Sequence, residues 1–488
     1  MQQRIVGIET EFGLSYVPKG LGRLSNEEAA AALFKPVLDE WRSTNVFLPN
    51  GGRLYLDVGS HPEYASAECA SIEELLAQER AGELLLARLA RQAQQRLRTE
   101  GAHGTPLEGS FYLLKNNVDS AGNSYGSHEN YLISRKLAFP TLIEQLVPFL
   151  VTRQILVGAG KTHPKGGPVS GSTDPASATG VPSFSFSQRA DHIWEAASTS
   201  TSRVRPLINT RDEPHADASK YRRMHVINGD SNMAEPTVLL KIVSTDLVLR
   251  ILEDRFPLTS LNIVSVPQAL RAISHDMSGS AAFETADGQR YTALSVQRHY
   301  LDAARKYVDW HGEHHQHVGY ALDLWQRTLD AVHSGDYSSI DTEIDWAIKK
   351  KLLDAYISRA QAAGQETSYA SARIRQLDLA YHDIDPDRGV YHALVRRQAV
   401  KTVLPAGAAE HAIDEPPATR ARLRSQFVKA AKAAGEQFTV DWVHMRLNAY
   451  PQHTVVCKDP FQTHSEQVDE VVAMLGHKHP EPPAPPLI

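Results

Sequence analysis

The sequence predicts an α+β fold built on a mostly antiparallel sheet that carries a chemical site on one face. Three observations lead there. Strand-like runs crowd the first half of the chain, helical periodicity dominates from about 290 to 365, and two early strands set charged side chains at alternate positions. With 488 residues, 42% of them hydrophobic, the chain can fill a sizeable core, either as one large domain with an appendage or as two or three domains.

The first of those strands lies in "RIVGIETEFGLSY". Successive side chains of a strand point to opposite faces, so Glu9 and Glu11 share one side while Ile8, Thr10 and Phe12 share the other. Two carboxylates so close repel each other. They are either solvated or seat a hard divalent cation such as Mg²⁺. Alone, the pair is a weak signal. A helix follows, opened by the capping box Ser25 to Glu28. The second strand, in "GGRLYLDVGSHPEYASAEC", puts Arg53, Tyr55 and Asp57 on one face and Leu54, Leu56 and Val58 on the other. An amphipathic strand with a wet polar face is the plain alternative. Glu63 and Glu68 come next, and together with Glu9 and Glu11 they make a carboxylate cluster that calls for metal. Ser71 to Glu74 is a second capping box, opening a helix that runs to about residue 100.

Further strands are expected around "SFYLLKNN", "HENYLIS", "RPLINTR", "RMHVING" and "TVLLKIV". The Gly, Pro, Ser and Thr of residues 160–183 predict a mobile loop. The stretch from about 404 to 418 reads as a boundary, dividing a large domain over 1–410 from a small carboxy-terminal domain over 411–476. The tail, 477–488, is expected to be disordered.

A basic region spans residues 187–235, where Arg189, Arg203, Arg205, Arg211, Arg222 and Arg223 occur with His215 and His225. The planar guanidinium fork suits phosphate oxygens, although a solvated charge run is the bland alternative. "SYGSHENYL" adds His128 and Glu129. A lone histidine is usually structural, so His128 and His225 gain weight as metal ligands only from the carboxylates elsewhere.

Lys plus Arg total 51 against 57 Asp plus Glu, a net charge of −6, so no global field favours nucleic acid or an anionic membrane. Phosphate binding must be local. Cys69 and Cys457 are too few for a disulfide framework or a zinc site, and no signal peptide or membrane-spanning run is present. A cytoplasmic protein is expected.

Carboxylates for Mg²⁺, arginines for phosphate and no Walker A loop describe an ATP site outside the P-loop class. Such a site can turn an unreactive carboxylate into an acyl phosphate, which an amine then attacks. A lysine near its reference pKa of ~10.4 is charged and must lose a proton first. Asp57 is the candidate base.

"GIETEFG", "NGGRLYLDVGSHPEYASAEC", "KNNVDSAGNSYGSHENYL", "INTRDEPHADASKYRRMHVINGDSNMAE", "DTEIDWAIKKKL" and "QLDLAYHDI" closely resemble the Pup ligase and depupylase family, carboxylate-amine ligases related to glutamine synthetase. The resemblance runs from Arg4 to about Phe461. It implies a glutamine-synthetase-like sheet cradle for ATP and Mg²⁺ with a small carboxy-terminal domain. It also implies an activity: the terminal glutamate of Pup, a small disordered protein tag, is phosphorylated and joined to substrate lysines, marking them for the bacterial proteasome. Carried across by motif, Glu9, Tyr55 and Glu63 match magnesium-site positions, with Glu11, His128 and His225 as further members. Arg53, Ser66 and Trp442 match nucleotide contacts, Arg189 and Arg211 match phosphate-binding arginines, and Asp57 matches the catalytic aspartate.

The depupylase branch carries a long insertion between the first strand and the R-L-Y-x-D strand. Here only residues 14–52 separate Gly13 from Arg53, and the insertion is absent. Ser127 points the other way, since ligases of the family more often have Cys there. A depupylase or Pup deamidase, a small-molecule carboxylate-amine ligase, and a non-catalytic Pup-binding adaptor are the alternatives to a ligase. The adaptor leaves the carboxylate cluster without a reason.

Overall fold

The computed structural model describes the chain except residues 2, 21, 58, 102–103, 120–121, 167–178, 201–204, 449–451 and 479–488. Strand β1 (Val6–Glu11) runs into β2 (Gly13–Pro18), and β3 (Asn45–Phe47), β4 (Arg53–Leu56) and β5 (Pro62–Ala65) follow the first helix. Then come β6 (Gly109–Leu114), β7 (Ser127–Ser134), β8 (Lys161–His163), β9 (Ser183–Ser185), β10 (Glu195–Ser198), β11 (Pro206–Asn209) and β12 (Tyr221–Val226). Eight of these form one sheet in the order β10-β11-β12-β7-β1-β5-β4-β3, antiparallel everywhere except between β10 and β11. β1 therefore sits near the middle, flanked by β7 and β5. β2 and β6 pair separately as a two-stranded ribbon.

Both capping boxes form. Ser25 and Glu28 open the helix Asn26–Trp41, and Ser71 and Glu74 open the helix Ile72–Thr99. The alternation in β1 holds as well, with Ile8 and Thr10 buried under the helices and Glu9 and Glu11 half-buried on the open face. The main core packs Ile8, Tyr131 and Ile133 of the sheet against the helices Phe139–Thr152, Glu235–Glu253, Ala293–His311 and Val318–Ser334. Among the described residues, no helix is long and apolar enough to cross a membrane.

"TVLLKIV" is helix, not strand. It lies inside Glu235–Glu253, whose residues from Glu235 to Leu252 are all buried. A helix apolar on every side shows no 3.6-residue period, and its short apolar runs look like a buried strand. Pro236 in the first turn supplies a helix-compatible φ, and the Ser244 and Thr245 hydroxyls donate back to the Leu240 and Lys241 carbonyls instead of competing for the ladder. The expected loop at 160–183 begins and ends as a hairpin, since Lys161–His163 pairs with Ser183–Ser185. Its centre, 167–178, lies outside the described residues, as do Val58, Arg203 and nearly all of the tail.

Beyond residue 418 the helix Arg420–Ala433, the strands Phe438–Val440, His444–Leu447 and His453–Val456, and the helix Glu466–Lys478 share a core of their own around Phe427, Met445 and Val468. Glu68, expected in the carboxylate cluster, instead fastens this unit to the sheet. It accepts hydrogen bonds from Arg420 Nε (3.0 Å) and Nη2 (2.6 Å) and from both Nη of Arg424, while Thr419 Oγ1 donates to its carbonyl. Burial raises its pKa, and the two guanidiniums outweigh that and hold the carboxyl at about 2. The sign follows: stability from Glu68 is present above the ordinary carboxylate range and is lost as pH falls through about 2. Glu68→Gln leaves two arginines buried without their anion and is expected to cost about 3–5 kcal/mol. Thermal unfolding, with proteolysis in the 404–418 segment, checks it. A melting temperature unchanged within a degree would show that the arginines find other partners.

Candidate active site

Cross-strand register builds the site from residues far apart in sequence. Glu9 stands opposite His128 on β7 and Ala65 on β5, and Ala65 stands opposite Arg53 on β4. One step along, Glu11 is opposite Glu63, which is opposite Tyr55. Directly opposed residues project to the same face, so two parallel rows of side chains, polar except for Ala65, cross one face of the sheet, ~6–7 Å apart. The backbone at one end of the second row is Gly126, whose carbonyl accepts the Glu11 N–H. A Cβ there would come within 2.4 Å of His128 Nε2 and 2.7 Å of Glu11 Oε1, so only glycine lets both approach.

The predicted metal residues separate into two groups. Carboxylate oxygens of Glu11, Asp57 and Glu63 lie within 4.8 Å of one another, and so do ligand atoms of Glu9, His128 and His225. In the first group burial raises the Glu63 carboxyl well above its usual range, and the nearby Glu9 and Glu11 charges push it further. Like charges gathered this closely are what a hard divalent cation relieves, and all-oxygen donors suit Mg²⁺. The Tyr55 hydroxyl is hydrogen-bonded to Glu63, and burial with the adjoining carboxylates keeps it protonated. In the second group Glu9 Oε2 meets His128 Nδ1 at 3.0 Å and His225 Nε2 at 3.7 Å, while Oε1 accepts from Asn130 Nδ2 at 3.0 Å and faces Arg223 Nη1 at 3.6 Å. Burial opposes the Glu9 charge, yet the two imidazoles overcome it and hold the carboxyl well below its usual value.

Asp57 lies one residue past β4, in a tight turn where Ser60 N–H donates to its carbonyl and Gly59 and Ser60 take positive φ of 98° and 65°. The turn carries its carboxylate to Glu11 and Glu63. Arg53 spreads its guanidinium over the Tyr55 ring, 4.4 Å from the centroid, and donates Nε–H to Asn45 Oδ1. Trp442 reaches the sheet from the carboxy-terminal unit and packs on Phe47 with centroids 4.9 Å apart. Ser66 Oγ accepts from Ile8 N–H and donates to Ala67 O. A cleft adjoins Glu9, lined among others by Gly7, Ser66, Asn130, His215, Arg223 and Trp442.

The arginines divide. Arg189 is buried, its Nη1–H donates to Tyr125 O and its Nε–H has no partner among the described residues. Burial pulls its pKa down to about 10 despite Glu11 nearby, which marks a cation short of anionic company. Arg211 is more exposed and spends its Nε–H on Thr199 O. Arg222 points to the other sheet face, ion-paired to Asp212 and laid over Phe139. Arg223, two residues before His225 on the same face, is the one that reaches Glu9. The alternation of β12 contained that signal. Asp230 was not foreseen: it accepts Ala159 N–H, Gln188 N–H, Arg189 N–H and the Ser187 hydroxyl, fixing the turn that presents Arg189. Glu129 belongs to the core, paired with Arg153.

Ser127 pairs with Thr10 on the helix-covered face and is 1% exposed. It touches neither row. Ser127→Cys, a change of one buried small side chain, is therefore expected to leave any activity at the carboxylates within about twofold and stability within about 1 kcal/mol. A rate measured on both forms decides.

The family model described as Pup-ligase protein matches residues 4–446. Among curated relatives, the Pup–protein ligase of Rothia mucilaginosa (strain DY-18) is 79% identical with both chains fully covered. That of Renibacterium salmoninarum is 53% identical with 98% of each covered. Among solved structures, the complex between prokaryotic ubiquitin-like protein Pup and its ligase PafA superposes with a TM-score of 0.89 at 41% identity, covering 98% of this chain and 92% of that one. The Pup ligase PafA in complex with ADP superposes at 0.82, also at 41% identity, covering 94% and 96%. Identity at this level across the whole length, over the same backbone, makes this chain a member of the Pup-ligase protein family.

Proposed function

We propose that the chain is an ATP-dependent ligase that phosphorylates the side-chain carboxylate of Pup's terminal glutamate and joins it to substrate lysines as an isopeptide. The observation that carries this reading is the pair of rows on the open sheet face, with Glu63 held between Glu11 and Tyr55 beside a buried, under-paired Arg189. Relatives named as Pup ligases, one solved with Pup and one with ADP, support it.

Glu11, Glu63 and Asp57 suit Mg²⁺, which when bound draws charge from the triphosphate. Glu9 with His128 and His225 completes the polar floor. The base packs in the cleft beside Ser66 and under Trp442, and Arg53 and Arg189 face the phosphates, with Arg211 at the rim. Arg189 donates to oxygens that gain charge as the phosphoryl group leaves for the Pup carboxylate. Asp57 then takes a proton from the lysine ammonium, and the neutral amine attacks the acyl carbon, forming the isopeptide C–N bond as the C–O bond to the phosphate breaks and phosphate leaves. The sheet with its covering helices, residues 1–410, holds these groups, and the unit over 411–476 supplies Trp442. Proteins so marked are substrates for the bacterial proteasome, in the cytoplasm.

The test combines the purified chain with Pup ending in glutamate, a lysine-bearing protein, ATP and Mg²⁺. A conjugate that forms only with ATP and resists thiol and hydroxylamine is expected. ATP consumption without conjugate would favour a small-molecule acceptor, and cleavage of preformed conjugate without synthesis would favour a depupylase.

A further inference from the structure

Two residues beyond Arg189, three elements meet at a further group of metal-ligating side chains. His163 comes from β8, Asp191 from the short turn Ala190–His192, and His275 from the end of the helix Val266–His275. One ligand atom from each lies within 4.8 Å of the other two. Asp191 Oδ1 is 2.9 Å from His275 Nε2, and the two imidazoles meet edge to face with centroids 4.5 Å apart.

An ion pair between Asp191 and His275 accounts for two of the three residues. It leaves His163 unexplained. That ring is buried, and its Nε2 lies 2.8 Å from Ser185 Oγ, whose own proton goes to the Ser187 carbonyl. Ser185 must then accept, so His163 carries its proton on Nε2 and keeps a bare lone pair on Nδ1. Metal-bound histidines are oriented in this way, with the second nitrogen donating to a fixed oxygen. His275 turns its Nε2 to the site and to Asp191.

We propose that His163, Asp191 and His275 bind one divalent cation of the zinc class. Two imidazoles and a carboxylate suit Zn²⁺ and its neighbours in the first transition row, with water as the fourth ligand, and disfavour Mg²⁺, which prefers oxygen donors. Bringing the donors from 4.8 Å to the ~3.3 Å of a tetrahedral zinc shell takes shifts of about 1.5 Å or less, within reach of side-chain rotation. Lys161 adjoins His163, and its charge moderates the affinity. The ion clasps the β8–β9 hairpin and the helix end to the turn that Asp230 holds from the other side, and so steadies Arg189.

The test is a zinc titration of the full chain with saturating Mg²⁺ and ADP, read by equilibrium dialysis and by melting temperature. The Glu9–His128–His225 and Asp246–His314–His315 groups offer histidines too, so the comparison is between variants. His163→Gln, His275→Gln and their double are each expected to lose the same single equivalent. Asp191→Asn should weaken it by about 10–100-fold, and His128→Gln and His314→Gln should retain it. Zinc should raise the wild-type melting temperature by about 3 °C or more, and that rise should vanish in His275→Gln. If His163→Gln does not fold, His275→Gln, at a half-buried helix end, decides alone. Unchanged stoichiometry in His275→Gln, or losses that add up to two equivalents in the double variant, would overturn the site.

Discussion

Glu63→Ala is expected to abolish ATP turnover, by ~10²-fold or more, while the chain stays folded. Glu63 is 3% exposed, held on β5 between Glu11 and Tyr55, with Asp57 reaching the same point. Its carboxyl is raised first by burial and then by the Glu9 and Glu11 charges, so an ionised Glu63 is unfavourable without a cation. A residue placed at such a cost to the fold is one that function requires. The sign of the pH dependence follows. The folded pKa lies above the unfolded one, so the stability Glu63 contributes is full below the ordinary carboxylate value and is lost as pH rises through the raised one. Metal-free wild type should therefore lose stability as the pH rises above the ordinary carboxylate range, and Glu63→Gln, uncharged throughout, should lose less and be more stable at pH 8 by about 0.5–2 kcal/mol. Mg²⁺ should narrow that gap by stabilising wild type alone. ADP release at ordinary Mg²⁺ and melting curves in chelator upward from that range make the measurement. Turnover within tenfold of wild type would remove Glu63 from the metal site, and a variant less stable at pH 8 would show that the carboxylate is compensated by groups other than a cation.

Local chemistry made much of this legible in the sequence. Two capping boxes opened helices where Ser25 and Ser71 stood, and strict alternation put Glu9 with Glu11 and Arg53 with Tyr55 on one face. What the sequence did not carry was register. Nothing near Glu63 says that it faces Glu11 rather than Glu9, because strand pairing is set by the buried face and by turns elsewhere. So one expected cluster became two, and Glu68, three residues after Ala65, left the sheet for a pair of arginines more than 350 positions away. The helix Glu235–Glu253 was missed for a related reason, since total burial erases the period that marks a helix. The arginine run could not be apportioned by composition either. Arg222 and Arg223 are neighbours in sequence and lie on opposite faces of the sheet.

Asp57→Asn separates the two roles that the geometry allows this residue. Its carboxylate stands in the oxygen group with Glu11 and Glu63, as a metal ligand would, yet it sits at the end of β4 in a turn, where an incoming amine can reach it. Asparagine keeps the shape and one acceptor oxygen and removes the basicity. If Asp57 takes the lysine proton, the variant still binds ATP and still phosphorylates the Pup carboxylate, while isopeptide formation falls by ~10²–10⁴. Raising the pH toward the lysine value of ~10.4 then restores part of the rate, because more of the amine is neutral unaided. If Asp57 is instead a ligand, ADP release and conjugation fall together and no pH recovers them. The measurement is ADP release set beside conjugate yield, for wild type and variant, from neutral pH to about one unit below the lysine pKa. The expected result is a loss confined to conjugation that shrinks as the pH rises. Near wild-type conjugation at neutral pH would show that another group deprotonates the lysine, and Glu11, in the same oxygen group, is the carboxylate to test next.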